Sequence, residues 1–167
     1  ILDIEEPYLK NFVQFIRNDR LEFINLEQAR ILEKGYCAGE IVGGNLSVIC
    51  SDLGTKDQID FAHKILFIED YDEELYHIDR LLWQLKRNQV FAQISGLILG
   101  EFSKISENKI RFANSIDELV AKYCSSYNIP IISNFPAGHS LGKNILPIGE
   151  KADLIAITNE VNLCLIE

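Results

Sequence analysis

Two residues able to do acid–base chemistry follow apolar runs. Glu69 comes directly after Lys64-Ile65-Leu66-Phe67-Ile68, and His139 lies a short loop beyond Ile129 to Ser133. Both runs read as buried strands. Polar residues just past the carboxyl ends of strands are where α/β sheets place their sites. If the two strands are parallel neighbours, the side chains converge. A carboxylate bonded to one imidazole nitrogen fixes the tautomer and leaves the other nitrogen free as a base. On position alone, ordinary readings stand beside this one. A glutamate after a strand is more often a cap or surface acid, and a lone histidine after glycine is more often a loop residue.

The elements that must position the pair alternate in kind. Glu5 to Asn18 reads as a helix, with Leu9, Phe12, Val13 and Phe15-Ile16 near helical spacing. Leu21 to Tyr36 reads as irregular strand and connection. Glu40-Ile41-Val42 is a short strand ending in Gly43-Gly44-Asn45, and a helix over Leu46 to Leu53 is stopped by Gly54. Asp72 to about Lys86 is the clearest helix, striped by Leu75, Ile78, Leu82 and Leu85, with Asp70 or Asp72 as its N-cap. Ile94 to Leu99 is a strand, Ser103 to Arg111 a polar loop, and Ser115 to Tyr127 a helix. The tail from Leu146 to Ile166 holds two or three strands, with a turn at Thr158-Asn159-Glu160 between Ala152–Ile157 and Val161–Ile166. Strands alternating with helices, closed by a hairpin, predict an α/β domain with a mixed sheet.

Composition narrows the partners. The 167 residues are 47% hydrophobic and 25% charged, the balance of a globular domain. A net charge of −9 and a pI of about 4.8 argue against nucleic acid or an anionic membrane, which need clustered Lys and Arg. No apolar run approaches the roughly 18 residues of a membrane span. Cys37, Cys50, Cys124 and Cys164 form no C-x-x-C pair and lie away from histidines, so no metal site is expected. They read as reduced, mostly buried thiols of a cytoplasmic protein. The chain opens at Ile1 and contains no methionine, which reads as a trimmed or partial chain.

Ordered blocks add a family resemblance. Gly43-Gly44-Asn45-Leu46, Leu53-Gly54-Thr55 and Ile65-Leu66-Phe67-Ile68-Glu69-Asp70 come first. Ile78-Asp79-Arg80-Leu81-Leu82-x-Gln84-Leu85, Leu97-Ile98-Leu99-Gly100-x-Phe102, Gly138-His139 and Leu146-Pro147-Ile148-Gly149 follow. In order and spacing, from about Gly39 to Gly149, they resemble the LD-carboxypeptidase family, which includes muropeptide LD-carboxypeptidases and microcin-immunity peptidases. Each block alone is weak, and the seven together are specific.

The resemblance implies a fold: a swivelling β/α-type C-terminal domain with a small mixed, barrel-like sheet. It implies that residues 1–19 are the last helix of a missing N-terminal domain and that residues 20–167 are the C-terminal domain. It also implies a Ser-Glu-His triad, with the catalytic roles falling on Glu69 and His139 and no cofactor. The family's serine lies in a Gly-x-Ser-Asp turn of the N-terminal domain. Gly138-His139-Ser140 superficially resembles that turn, but Leu141 stands where the Asp belongs, so Ser140 is not read as the nucleophile. The implied partners are the missing domain, a peptide substrate and a second copy in a homodimer. The implied reaction is cleavage of an L-to-D bond in a muropeptide, with a microcin-type amide as the alternative within the family. This chain alone is then expected to be inactive. A non-catalytic binding or dimerisation module is the competing reading.

Other residues carry paired readings. Gly43 and Gly44 bring backbone near substrate or form a tight strand-to-helix turn, the turn being preferred. Asn45 contacts substrate or, the preferred reading, caps the helix that follows. Asp70 assists the triad or caps the next helix. Asp79-Arg80 is an ion pair or interface contact, Trp83 packs at a domain or dimer interface, and His63 faces solvent.

Overall fold

The computed structural model describes residues 6–17, 23, 26–105, 114–139, 144–157 and 160–166. Its strands are β1 (Arg30–Glu33), β2 (Gly35–Asn45), β3 (Ile65–Tyr71), β4 (Gly96–Ser103), β5 (Ile131–Ser133), β6 (Lys151–Ile157) and β7 (Glu160–Leu165). Its α-helices are α1 (Glu6–Ile16), α2 (Leu46–Asp52), α3 (Leu75–Arg87), α4 (Val90–Gln93) and α5 (Ile116–Cys124), and Leu26–Gln28 forms a 3-10 turn.

The sheet order is β1-β5-β4-β3-β2-β6-β7. β2, β3, β4 and β5 are parallel, as crossover connections through helices require. β1 joins β5 antiparallel at one edge, and the β6–β7 hairpin closes the other. The sheet curls until β1 approaches β6. This is the mixed, barrel-like α/β fold expected.

Alternation along β3 sorts two cores. Leu66 and Ile68 face the helices, joining Ile78, Leu81, Leu82 and Leu85 of α3 and Leu119, Val120 and Tyr123 of α5. Ile65 and Phe67 face the concave side with Cys37, Ile41, Ile98, Ile132, Leu154 and Leu163. Burying an aliphatic side chain contributes about 1.5–3 kcal/mol, so the four-residue stripe of α3 suffices to hold that helix on the sheet.

Several expectations need correction. β2 does not stop at Val42: it runs through Gly43-Gly44-Asn45, paired with Phe67-Ile68-Glu69. Gly43 therefore makes no turn. It has φ 128°, and a Cβ there would stand 1.9 Å from the Phe67 carbonyl oxygen. Strand β3 likewise continues past Ile68 to Tyr71, so α3 starts later than expected and neither Asp70 nor Asp72 caps it. Its N-cap is Glu74, without a side-chain cap bond. The region from Leu21 to Tyr36 contains β1 and the start of β2. The short helix α4 was not expected; among the described residues the tail holds two strands, within the two or three expected. Much of the Ser103–Arg111 loop and of the turn at Thr158-Asn159 lies outside the described residues.

Candidate active site

Glu69 belongs to the concave-side set of β3 and would extend the row of Ile65 and Phe67. It sits at an irregularity: Ile68 pairs with Leu99 but Asp70 pairs with Phe102, so β4 carries one extra residue opposite Glu69. Such bulges re-aim side chains next to sites. The carboxylate ends up buried at the carboxyl end of the parallel strands, its side chain only 7% exposed.

His139 reaches it through the segment after β5. Phe135 N donates to Leu99 O at 3.0 Å and Glu101 N donates to Ala137 O at 2.8 Å, so this loop is tied to β4. Gly138 adopts φ 153°, and a Cβ there would meet the Glu101 Cβ at 2.7 Å. Only glycine lets the loop press this closely on β4 and deliver His139 above Glu69.

His139 Nδ1 and Glu69 Oε2 are 2.5 Å apart. A carboxylate accepts, so Nδ1 carries the hydrogen and Nε2 is the nitrogen left for a substrate. The imidazole side chain is 48% exposed, which leaves that nitrogen approachable. The Tyr71 ring lies 5.4 Å from the imidazole, tilted by 32°. Phe67, Ala137, Asn144 and Leu146 complete an open cavity of about 250 Å³ around the pair. Asn144 is buried, and its N and Nδ2 both donate to Pro136 O, at 2.8 and 3.2 Å, which braces the histidine loop. Tyr71 and Asn144 were missed in the sequence. A strand running past Glu69 was the signal for Tyr71, and its alternation was hidden by the Glu-Asp pair.

Asp70 points to the opposite, helix-side face and is 2% exposed. It accepts from Asn45 Nδ2 at 2.8 Å, Ser47 N at 3.2 Å, Ser47 Oγ at 2.9 Å and Tyr71 N at 2.9 Å. It thus ties the β2–α2 junction to the end of β3. Asn45 caps α2, its Oδ1 accepting from Val48 N at 3.1 Å. Gly44 has open space where a Cβ would stand.

The remaining candidates lie elsewhere. Asp79 and Arg80 do not pair with each other: Tyr123 OH donates to Asp79 at 2.6 Å, and the Arg80 guanidinium lies over the Tyr76 ring. Trp83 is 47% exposed and packs beside Tyr123. His63 is exposed. Ser140 lies outside the described residues. All four cysteines are free, and burial pushes the thiols of Cys37, Cys50 and Cys124 up to about 12. Among the described residues no group of three or more His, Cys, Asp or Glu could hold a metal ion. No described helix is long and apolar enough to cross a membrane.

A family model described as the LD-carboxypeptidase C-terminal domain matches residues 38–154. The chain belongs to the LD-carboxypeptidase family. A probable murein peptide carboxypeptidase of Bacillus subtilis is 40% identical over 121 residues, covering 72% of this chain and 38% of that protein. The microcin C7 self-immunity protein MccF of Escherichia coli is 30% identical over 146 residues, covering 78% and 41%. The crystal structure of a muramoyltetrapeptide carboxypeptidase from Oxalobacter formigenes superposes with a TM-score of 0.85 at 24% identity, over 100% of this chain and 57% of that one. That likeness establishes the LD-carboxypeptidase C-terminal fold. The chain spans about two fifths of the length of the curated relatives it matches.

Proposed function

We propose that this domain supplies the Glu and His of a Ser-Glu-His triad in a serine carboxypeptidase that cleaves an L-to-D peptide bond of murein peptides. The observation that carries the reading is the 2.5 Å contact between a buried Glu69 and the Nδ1 of a half-exposed His139. Family membership and the murein peptide carboxypeptidase relative support the substrate class.

The serine comes from a segment outside this chain. Its Oγ attacks the scissile carbonyl carbon while the hydroxyl proton passes to His139 Nε2. The C–N bond breaks, and Nε2 returns the proton to the departing amine. Water then attacks the acyl-enzyme ester, giving its proton to Nε2, and the serine leaves with that proton. Glu69 holds the reactive tautomer and stabilises the transient imidazolium.

The same reading makes residues 1–19 the last helix of the nucleophile-bearing domain. In α1, Leu9, Phe12, Val13 and Ile16 are exposed, an apolar surface such a domain would cover. Asn45, Gly43 and Gly44 would stand at the rim of the shared cleft, and the whole protein would be a homodimer. The similarity to MccF favours a second reading within the family, a microcin-type amide as substrate.

The test is product analysis with the full-length protein. Murein tetrapeptide ending in D-alanine should release free D-alanine, and its all-L counterpart should remain intact. Cleavage of both at equal rates, or of a microcin-type amide alone, would refute the L-to-D assignment.

A further inference from the structure

Beside the dyad stands a cation with no role in the chemistry above. Lys104 follows β4, and its Nζ lies 5.0 Å from the centroid of the Tyr71 ring. Tyr71 in turn lies against His139. The arrangement is built by backbone. Tyr71 pairs with Ser103, and Asp72 N donates to Ser103 O at 3.0 Å, which holds the end of β3 beside the end of β4. Lys104 itself adopts φ 52°, a conformation uncommon for a residue with a side chain. It turns the chain at the point where the ammonium meets Tyr71. Contact with Tyr71 and the nearby Asp72 favours the charged form of the lysine.

The surroundings make a cation informative. Glu69, Asp70, Asp72 and Glu73 follow one another closely along β3 and the turn after it, in a chain of net charge −9. An anionic group approaching His139 meets repulsion unless a positive charge offsets it. A carboxypeptidase substrate carries such a group. The departing amine lies at His139 Nε2, and the α-carboxylate of the same residue is one Cα away. A lysine on a flexible four-carbon stem sits over the ring that packs against the imidazole, on the strand end next to the dyad.

We propose that Lys104 recognises the α-carboxylate of the departing C-terminal residue and that Tyr71 sets its distance from His139. The assignment rests on the carboxypeptidase reading and adds to it the group that restricts cleavage to a chain end. Lys104 is a specificity residue here, and the proton transfers remain with His139.

The experiment uses the full-length protein, a tetrapeptide ending in D-alanine as the free acid, and the same peptide as its C-terminal amide. Lys104→Met should lower kcat/KM on the acid roughly 10-fold to 100-fold, chiefly through KM, because a charge-assisted contact is lost. Lys104→Arg should restore most of it. The inhibition constant of the amide should be the same for wild type and Lys104→Met, since the amide lacks the C-terminal carboxylate that Lys104 recognises. Near-wild-type kcat/KM of Lys104→Met on the acid would overturn the assignment, as would an equal loss of affinity for acid and amide. Wild-type protein that leaves the acid uncut would sink the carboxypeptidase reading and this assignment with it. Wild-type cleavage with an unaffected Lys104→Met would sink the assignment alone.

Discussion

Glu69 and Asp70 are sequence neighbours that do opposite jobs on opposite faces of one strand. Glu69 bonds His139 on the concave side. Asp70 bonds Asn45 and Ser47 on the helix side. The period-2 geometry of a strand makes this unavoidable. Glu69 thus has a stable position because its neighbour anchors the same strand end to the β2–α2 junction.

Asp70→Asn keeps the shape but replaces one acceptor oxygen with a donor facing the Ser47 amide and hydroxyl or the Asn45 amide. Leaving such buried groups unpaired costs about 1–3 kcal/mol. Urea denaturation of the variant should show that loss, with the slope of the transition unchanged. Stability equal to wild type would mean that Asp70 does not anchor the junction.

The buried thiols make a second expectation. Burial raises Cys37, Cys50 and Cys124 to about 12 from an ordinary 9.0, while Cys164 is half-buried. A thiol reagent at mildly alkaline pH should modify Cys164 quickly in the native protein and the other three only on unfolding. The raised values also fix a direction for stability. Above pH 9 the unfolded thiols ionise while the folded ones stay protonated until about 12, so stability should fall as pH rises through that window. Rapid labelling of all four in native protein would contradict this.

Much of this fold was legible because its signals were local. The apolar run Ile65–Ile68 and the α3 stripe could be recognised from periodicity. Two features were hidden for physical reasons. The Gly43-Gly44 pair resembles a strand end, yet glycine is needed at Gly43 because the β3 backbone passes too close for a side chain. The polar Glu69-Asp70 pair also resembles a strand end, yet both carboxylates are buried, each satisfied by partners distant in sequence. The candidate residues Glu69 and His139 were visible from strand-end placement and the family blocks. Tyr71, Asn144 and the bulge opposite Glu69 depend on pairing between β3 and β4 and on the path of the loop after β5, which no local pattern encodes.

On the proposed mechanism the nucleophile lies outside these 167 residues, so the isolated chain should fold and show no peptidase activity. Incubation with murein tetrapeptide and detection of D-alanine checks this. Sustained turnover by the pure chain would place a nucleophile within it and refute the division of the triad.

The most direct test of the account is steady-state turnover by full-length protein carrying His139→Ala or Glu69→Gln, with circular dichroism as the control for folding. Loss of the base should remove most of the catalysis. Loss of the carboxylate should cost on the order of 10⁴ in kcat, because a neutral amide neither fixes the tautomer nor stabilises the imidazolium. Folded variants with both losses are the predicted result. A folded His139→Ala or Glu69→Gln protein that turns over within about 10-fold of wild type would contradict the claim that this pair does the chemistry.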